Sequence, residues 1–244
     1  MLLQWIHETG DEMRDIYVKS VGAANGLFNR LAGNRSEHDI GVFHIEFGAA
    51  NLTLDRARNA LCEGEKCDLI VLTTSLLNEL KLEHGDRISS DHALGTTVTG
   101  LAKLIDSPAP DMRSEDAVKQ ALLSADKVFV PDLINSTGGR QFASMLESLR
   151  LTQLMEEKLK QFPGGVQAVA ALRDEGTASS IACAQMTEIA TSTAVMFIGG
   201  FPDSFALSTA YSIAVVGQNP KATLLIEYFK SADGKSLLEN CGFQ

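Results

Sequence analysis

The sequence predicts an α/β protein assembled from parallel strand–helix–strand units. Short runs of β-branched and aliphatic residues alternate with longer amphipathic segments. The turns that follow several of these runs are built from glycine, alanine and asparagine. With 244 residues, 45% of them hydrophobic and 21% charged, the chain can bury one large core or two smaller ones, which excludes a disordered or fibrous polymer.

Strands are expected at Ile16–Val21, Gly41–Phe47, Leu69–Thr73, Thr97–Leu104, Lys127–Val130, Ser179–Ala184, Ala194–Ile198 and Ser208–Val216. Helices are expected at Leu52–Cys62, Leu76–Leu82, Ser114–Ser124, Gly139–Leu149, Thr152–Lys160, Val166–Asp174, Lys221–Lys230 and Lys235–Cys241. Ser114 is a helix-starting residue whose hydroxyl accepts from the first turn. Pro220 falls at a first helical position, where its missing N–H is no loss. No repeat, low-complexity tract or Gly/Ser linker divides the chain, so any two-lobed arrangement must be joined by strands that cross between lobes.

The net charge of -10, from 21 Lys+Arg against 31 Asp+Glu, removes the broad basic face that a nucleic-acid partner needs. A local pocket still accepts an anion, because nearby donors and helix N-termini outweigh screened distant carboxylates. Cys62, Cys67, Cys183 and Cys241 show no zinc spacing and fit unpaired thiols. No cofactor or metal is expected. The apolar runs LIVL and AVMFIGGF are far shorter than the roughly 20 residues of a membrane span, so no membrane insertion is expected. The N-terminal MLLQWIHETGDEMRD lacks the basic and apolar regions of a signal peptide.

The strand-to-helix turns carry the functional signal. In a parallel sheet they gather at the carboxyl ends of the strands, where ligands bind. Gly22-Ala23-Ala24-Asn25-Gly26 follows the first strand and Gly48-Ala49-Ala50-Asn51 the second. Asp132 to Arg140, with Ser136, Thr137, Gly138 and Gly139, follows the Lys127 strand. Small residues let a ligand approach the backbone N–H groups, and each following helix adds its positive end. Thr73 and Thr74 either donate to a ligand or cap the next helix. Arg140 either pairs with a ligand or makes a surface ion pair. His44, alternating with Phe43 and Ile45, fits a core or sheet-face residue. Of Arg56 and Arg58, at least one must face solvent. Glu46 and Glu188 are carboxylates with no partner visible in the sequence; Glu188 fits a base or a dipole-stabilised carboxylate.

From about Asp15 to Phe243 the order of VKSVGAAN, the EFG turn followed by CDLIVL, NPKAT, FKSADGKSLL and CGF resembles the molybdate-binding type of periplasmic solute-binding proteins. The resemblance implies a two-lobed type II periplasmic-binding-protein fold with a ligand cleft between the lobes. It implies residues 1–94 and 205–244 in one lobe and 95–204 in the other. It also implies a periplasmic location and an ABC permease as partner if the protein is exported; the given N-terminus, taken as genuine, would instead be cytoplasmic.

Departures from that family bear on the ligand. Ala23 and Ala49 stand where its molybdate binders place serine hydroxyls, and Gln185 stands where a tyrosine is expected, ahead of Thr187 and Glu188. Each lost donor to a buried oxygen costs roughly 1–3 kcal/mol, which argues against molybdate. Ser136-Thr137-Gly138-Gly139-Arg140 resembles a branch that includes aconitate isomerase, implying a small multi-carboxylate as ligand. The expected ligand contacts are thus Ala23, Ala24, Asn25, Ala49, Ala50, Asn51, Thr73, Ser136, Thr137, Gly138, Gly139, Arg140, Gln185 and Thr187. A module that captures a small organic anion is the first expectation. An isomerase acting by proton abstraction next to a carboxylate is the second, with its base unassigned. An effector domain of a transcription regulator is the third, with no helix-turn-helix segment attached.

Overall fold

The computed structural model describes residues 15–33, 42–202, 204–205 and 208–244. Gly41, the first residue of an expected strand, lies outside them. In chain order the elements are β1 (Ile16–Val21), α1 (Asn25–Gly33), β2 (Phe43–Gly48), α2 (Ala50–Glu63), β3 (Leu69–Thr73), α3 (Thr74–His84) and β4 (Ile88–Leu104). Next come α4 (Glu115–Ser124), β5 (Val128–Pro131), α5 (Thr137–Ser148), α6 (Thr152–Met155), β6 (Leu159–Phe162), α7 (Gly165–Glu175), β7 (Ile181–Gln185) and α8 (Met186–Ile189). The chain continues through β8 (Val195–Gly200), β9 (Ser208–Val216), α9 (Pro220–Lys230) and α10 (Ala232–Asn240).

The strands run in the order β2-β1-β3-β9-β4-β7-β5-β6, with β8 also on β4. In the first half β1 is parallel to β2 and β3, while β9 is antiparallel to β3 and β4. In the second half β5 is parallel to β6 and β7, and β4 is antiparallel to β7 and β8. The 17-residue β4 joins the halves. Its stretch from Ile88 to Val98 pairs with β9 from Val216 to Ser208, from Thr99 to Ala102 it pairs with β7, and from Gly100 to Leu104 with β8. The register slips at Ala93/Gly95, where Gly95 has φ 120 and a side chain would meet the carbonyl of Gln244 at 2.8 Å. Gln244 itself pairs with Thr96 through N–H···O bonds in both directions, at 2.7 and 2.8 Å.

Each half has its own core. The first gathers Ile16, Phe28, Leu54, Leu69, Val71, Ile213, Leu225, Phe229 and Phe243. The second is split by its sheet, because successive strand residues point to opposite faces. Leu101, Val128, Val130, Ile181 and Cys183 pack with Phe142 and Met145 on one face. Ala102, Phe129, Ala182 and Ala184 pack with Val169 and Leu172 of α7 on the other. The molecule is therefore a two-lobed α/β protein, and the chain passes to the second lobe along β4 and returns through β9.

Ser114 accepts from the N–H of Ala117 and Pro220 occupies the start of α9, both as expected. The expected helix over Thr152–Lys160 is corrected. It stops after one turn at Met155, and Leu159–Phe162 pairs in parallel with β5 instead. The open edge of β5 wins over helical propensity, and Pro163-Gly164 ends the segment. β4 begins nine residues before the expected Thr97, its first stretch being a polar, half-exposed ladder on β9. Helices α1 and α8 were not expected from the sequence.

Candidate functional site

The carboxyl ends of β1, β2, β5, β6 and β7 converge on a cleft of about 510 Å³ between the lobes. Each strand there hands over to a helix. From the first lobe come Gly22 and Ala23, in a 3₁₀ turn after β1, and Phe47 to Leu52 at the β2–α2 junction. From the second come the 131–138 loop, Pro163-Gly164, Gln167, Gln185 and Glu188, while Tyr211 reaches in from β9. Gly48 is confined: a side chain there would meet the Thr53 hydroxyl at 3.0 Å.

Helix α2 starts after Ala49, which has no side chain able to cap it, and its first turn contains no acidic residue. Its N–H groups and positive dipole end are left for whatever enters the cleft. The N-terminus of α5 is occupied differently. The Ser136 hydroxyl accepts from the N–H of Gly139 at 2.9 Å and donates to the carbonyl of Asp132 at 2.9 Å. The Asp132 carboxylate accepts from the N–H groups of Ile134 and Asn135 and from the Asn135 amide. These bonds hold the Asp132 carboxyl below its usual range, so it stays ionised.

Gln185 and Glu188 form the floor. The Tyr211 hydroxyl donates to Gln185 Oε1 at 2.8 Å, and burial pushes the Tyr211 phenol up. Gln185 Nε2, buried in the cleft wall, has no hydrogen-bond partner. A buried donor left unmet costs about 1–3 kcal/mol, so this N–H group is free to donate into the cleft. The Glu188 carboxylate accepts from the Gln185 N–H at 3.0 Å and from the Gly165 N–H. Burial pushes it up to about 7. Gly165 is needed beside it, since a side chain there would stand 2.0 Å from Glu188 Oε2. Among the described residues lining the cleft there is no Lys, Arg or His.

Of the expected contacts, Ala23, Ala49, Ala50, Asn51, Ser136, Thr137, Gly138 and Gln185 line the cleft together. Six stand elsewhere. Ala24 is buried in the first core, and Asn25 Oδ1 accepts from Asn29. Thr73 caps α3 through the N–H of Leu76, the second of the two roles open to it. Gly139 has its N–H on Ser136. Arg140 is exposed and donates to the carbonyls of Ile134 and Asn135 at 3.3 and 3.2 Å, bracing the loop. Thr187 is buried, with its N–H on the Thr97 hydroxyl and its own Oγ1 without a partner.

Other candidates also resolve. His44 lies on the exposed face of β2, stacked on the Tyr17 ring, with Nε2 2.9 Å from Asp15. Arg58 pairs with Glu79 and Glu83 and Arg56 bonds the Phe47 carbonyl, while Glu46 takes the Lys19 ammonium at 2.6 Å. Sequence reasoning did not bring Tyr211, Gln167 or Pro163-Gly164 to the cleft. The last pair is a fourth strand-to-helix turn, hidden because β6 was read as helix.

The sequence model of the family described as "Bacterial extracellular solute-binding protein" matches residues 16–244. The chain belongs to this family. As a solute-binding protein it shares its fold with the periplasmic molybdate-binding protein of Azotobacter vinelandii, at TM-score 0.68 and 12% identity, covering 94% of this chain and 98% of the other. The sulfate-binding protein SubI of Mycobacterium tuberculosis aligns at TM-score 0.64 and 14% identity, covering 94% and 86%. Peb3 of Campylobacter jejuni aligns at TM-score 0.63 and 11% identity, covering 94% and 99%, and another solved PEB3 structure holds L-phospholactate. No curated protein matches the sequence of this solute-binding protein.

Proposed function

We propose that this protein captures a small organic anion, a carboxylate in preference to molybdate, in the cleft between its lobes. The observation that carries this reading is the make-up of the cleft. Its 510 Å³ is in the range of sites that hold organic molecules. Val21, Phe47, Leu52, Pro131 and Pro163 offer apolar surface to a carbon skeleton, while the open end of α2 and Gln185 Nε2 offer donors to oxygens. Ala23 and Ala49 offer no hydroxyl to a tetrahedral oxyanion. The L-phospholactate held by PEB3, a small organic anion on the same fold, is in keeping with it. The expected lobe limits, 1–94 with 205–244 and 95–204, remain part of the proposal, supported by the change of partners along β4.

A thermal-shift and calorimetric panel of molybdate, tungstate, sulfate, phosphate and di- and tricarboxylates tests the reading. Binding of a carboxylate more tightly than molybdate is expected. Sub-micromolar molybdate binding with no response to carboxylates would overturn it.

One observation favours a second reading, an isomerase of a small unsaturated tricarboxylate. Glu188, a cleft carboxyl raised to about 7, has the basicity of a general base at neutral pH. Incubation with cis- and trans-aconitate followed by NMR would display any movement of the double bond.

A further inference from the structure

We propose that anion capture by this protein takes up one proton, which resides on the carboxyl of Glu188. The inference rests on the anion-binding reading of the cleft and adds to it a dependence that a purely neutral set of donors would not have.

The geometry is specific. Glu188 stands where the lobes meet: Oε1 lies 3.5 Å from the position a Gly22 side chain would take in the first lobe. In its own lobe the carboxylate rests on the N–H groups of Gln185 and Gly165. It lines the cleft, and the cleft offers it no cationic side chain among the described residues. Any anion bound there lies near this carboxylate, which is itself buried. Like charges close to a desolvated group disfavour each other, and the carboxyl relieves the repulsion by protonating.

The neighbours leave Glu188 as the group that responds. Its helix α8 packs against α1, the Gly22–Ala24 turn, α7, β4, β7 and β8. The titratable side chains of these elements are Arg30 on α1, Arg173, Asp174 and Glu175 at the far end of α7, Asp91, His92 and Lys103 on β4, and Cys183 on β7. Arg173 pairs with Asp174, and Asp91 with Lys81. Cys183 and the facing Tyr211 are both pushed up by burial and stay neutral. Asp132, across the cleft, is held down by its loop. Burial already sets Glu188 near neutrality before any ligand arrives. The proton comes from water, and the carboxyl then becomes a donor in place of a competing acceptor.

Sulfate, molybdate and fumarate, which keep their charge between about pH 6 and 8.5, are suitable probes in titration calorimetry. The Kd of whichever binds should rise close to tenfold per pH unit above about pH 7 and level off below it. Titrations in two buffers of different ionisation heat should count close to one proton taken up per anion in the alkaline range. Glu188→Gln should remove both the slope and the proton. Should that variant fail to fold, the proton count on the unaltered protein decides alone. A pH-independent Kd with no proton exchange, or a slope kept by Glu188→Gln, would overturn the proposal while leaving the cleft as an anion site. Failure of these probes and of every di- and tricarboxylate of the panel above to bind at any pH would remove the anion reading and this inference together.

Discussion

Helix α2 of the first lobe begins behind Ala49 with nothing over its first-turn N–H groups, whereas α5 of the second lobe begins under the Ser136 hydroxyl. Both helices follow a strand, both start at the cleft, and both turns are rich in small residues. The second turn has spent its polar groups on itself: Asp132, Asn135 and Ser136 bond one another, and Arg140 ties down two more carbonyls. The first turn has spent almost nothing. A polar loop is thus not richer in free donors than a bare one. What counts is which donors are left over. In the second lobe the uncommitted chemistry lies one strand away, at Gln185 and Glu188.

Glu188 gives the sharpest contrast, because the first lobe has no counterpart among the cleft-lining residues. Its folded value of about 7 lies above its ordinary 4.5, so the folded state holds the proton more tightly than the unfolded chain. The stabilisation is complete below about pH 4.5 and is lost as pH rises through about 7. The span amounts to about 3 kcal/mol, read by urea melts between pH 4.5 and 8. Melts of Glu188→Gln should be flatter over that range; an unchanged slope would break the assignment.

Gly165→Ala drives a methyl into the Glu188 carboxylate, and overpacking of this kind costs about 1–3 kcal/mol. A fall in Tm of several degrees is expected, together with weaker anion binding. Thr137→Val, at the one hydroxyl of the second turn that lines the cleft without capping a helix, should weaken the best anion by about 1–2 kcal/mol in calorimetry with little change in Tm.

The two helix starts can be exchanged. Ser136→Ala should lower stability by about 1 kcal/mol, and Ala49→Ser should raise it by a similar or smaller amount. If Ser136→Ala lowers affinity more than stability, the serine serves the ligand and the contrast between the turns fails. Arg140→Ala, an exposed brace, should shift stability by no more than about 0.5 kcal/mol and leave affinity within twofold.

Much of the fold was legible because period-two and helical patterns survive in a core: Leu69–Thr73 and Ser208–Val216 appear at their expected limits. Elements decided by neighbours were not. Leu159–Phe162 is a strand only because β5 offers an edge, and Ile88–Thr96 is polar enough to hide its ladder. In the cleft, Ala23, Ala49 and Gly138, small residues that the turns single out in the sequence, stand in the wall. Sequence alone could not say that Thr73 and Ser136 already serve as helix caps, nor that Tyr211, from a strand 26 residues further on, would take one end of Gln185 and leave the other free.

The long β4 also divides the pairings by their distance along the chain. Strands β5 to β8 and their partner stretch of β4 all lie between residues 99 and 200, so the second lobe's sheet is built from one continuous stretch. The first lobe's is not: Ile88 pairs with Val216, and Thr96 with Gln244. Without those late residues the edges of β3 and of the early part of β4 stand open, and such edges invite pairing with other chains. Closing the first lobe therefore carries the greater loop-closure cost, wherever the chain folds.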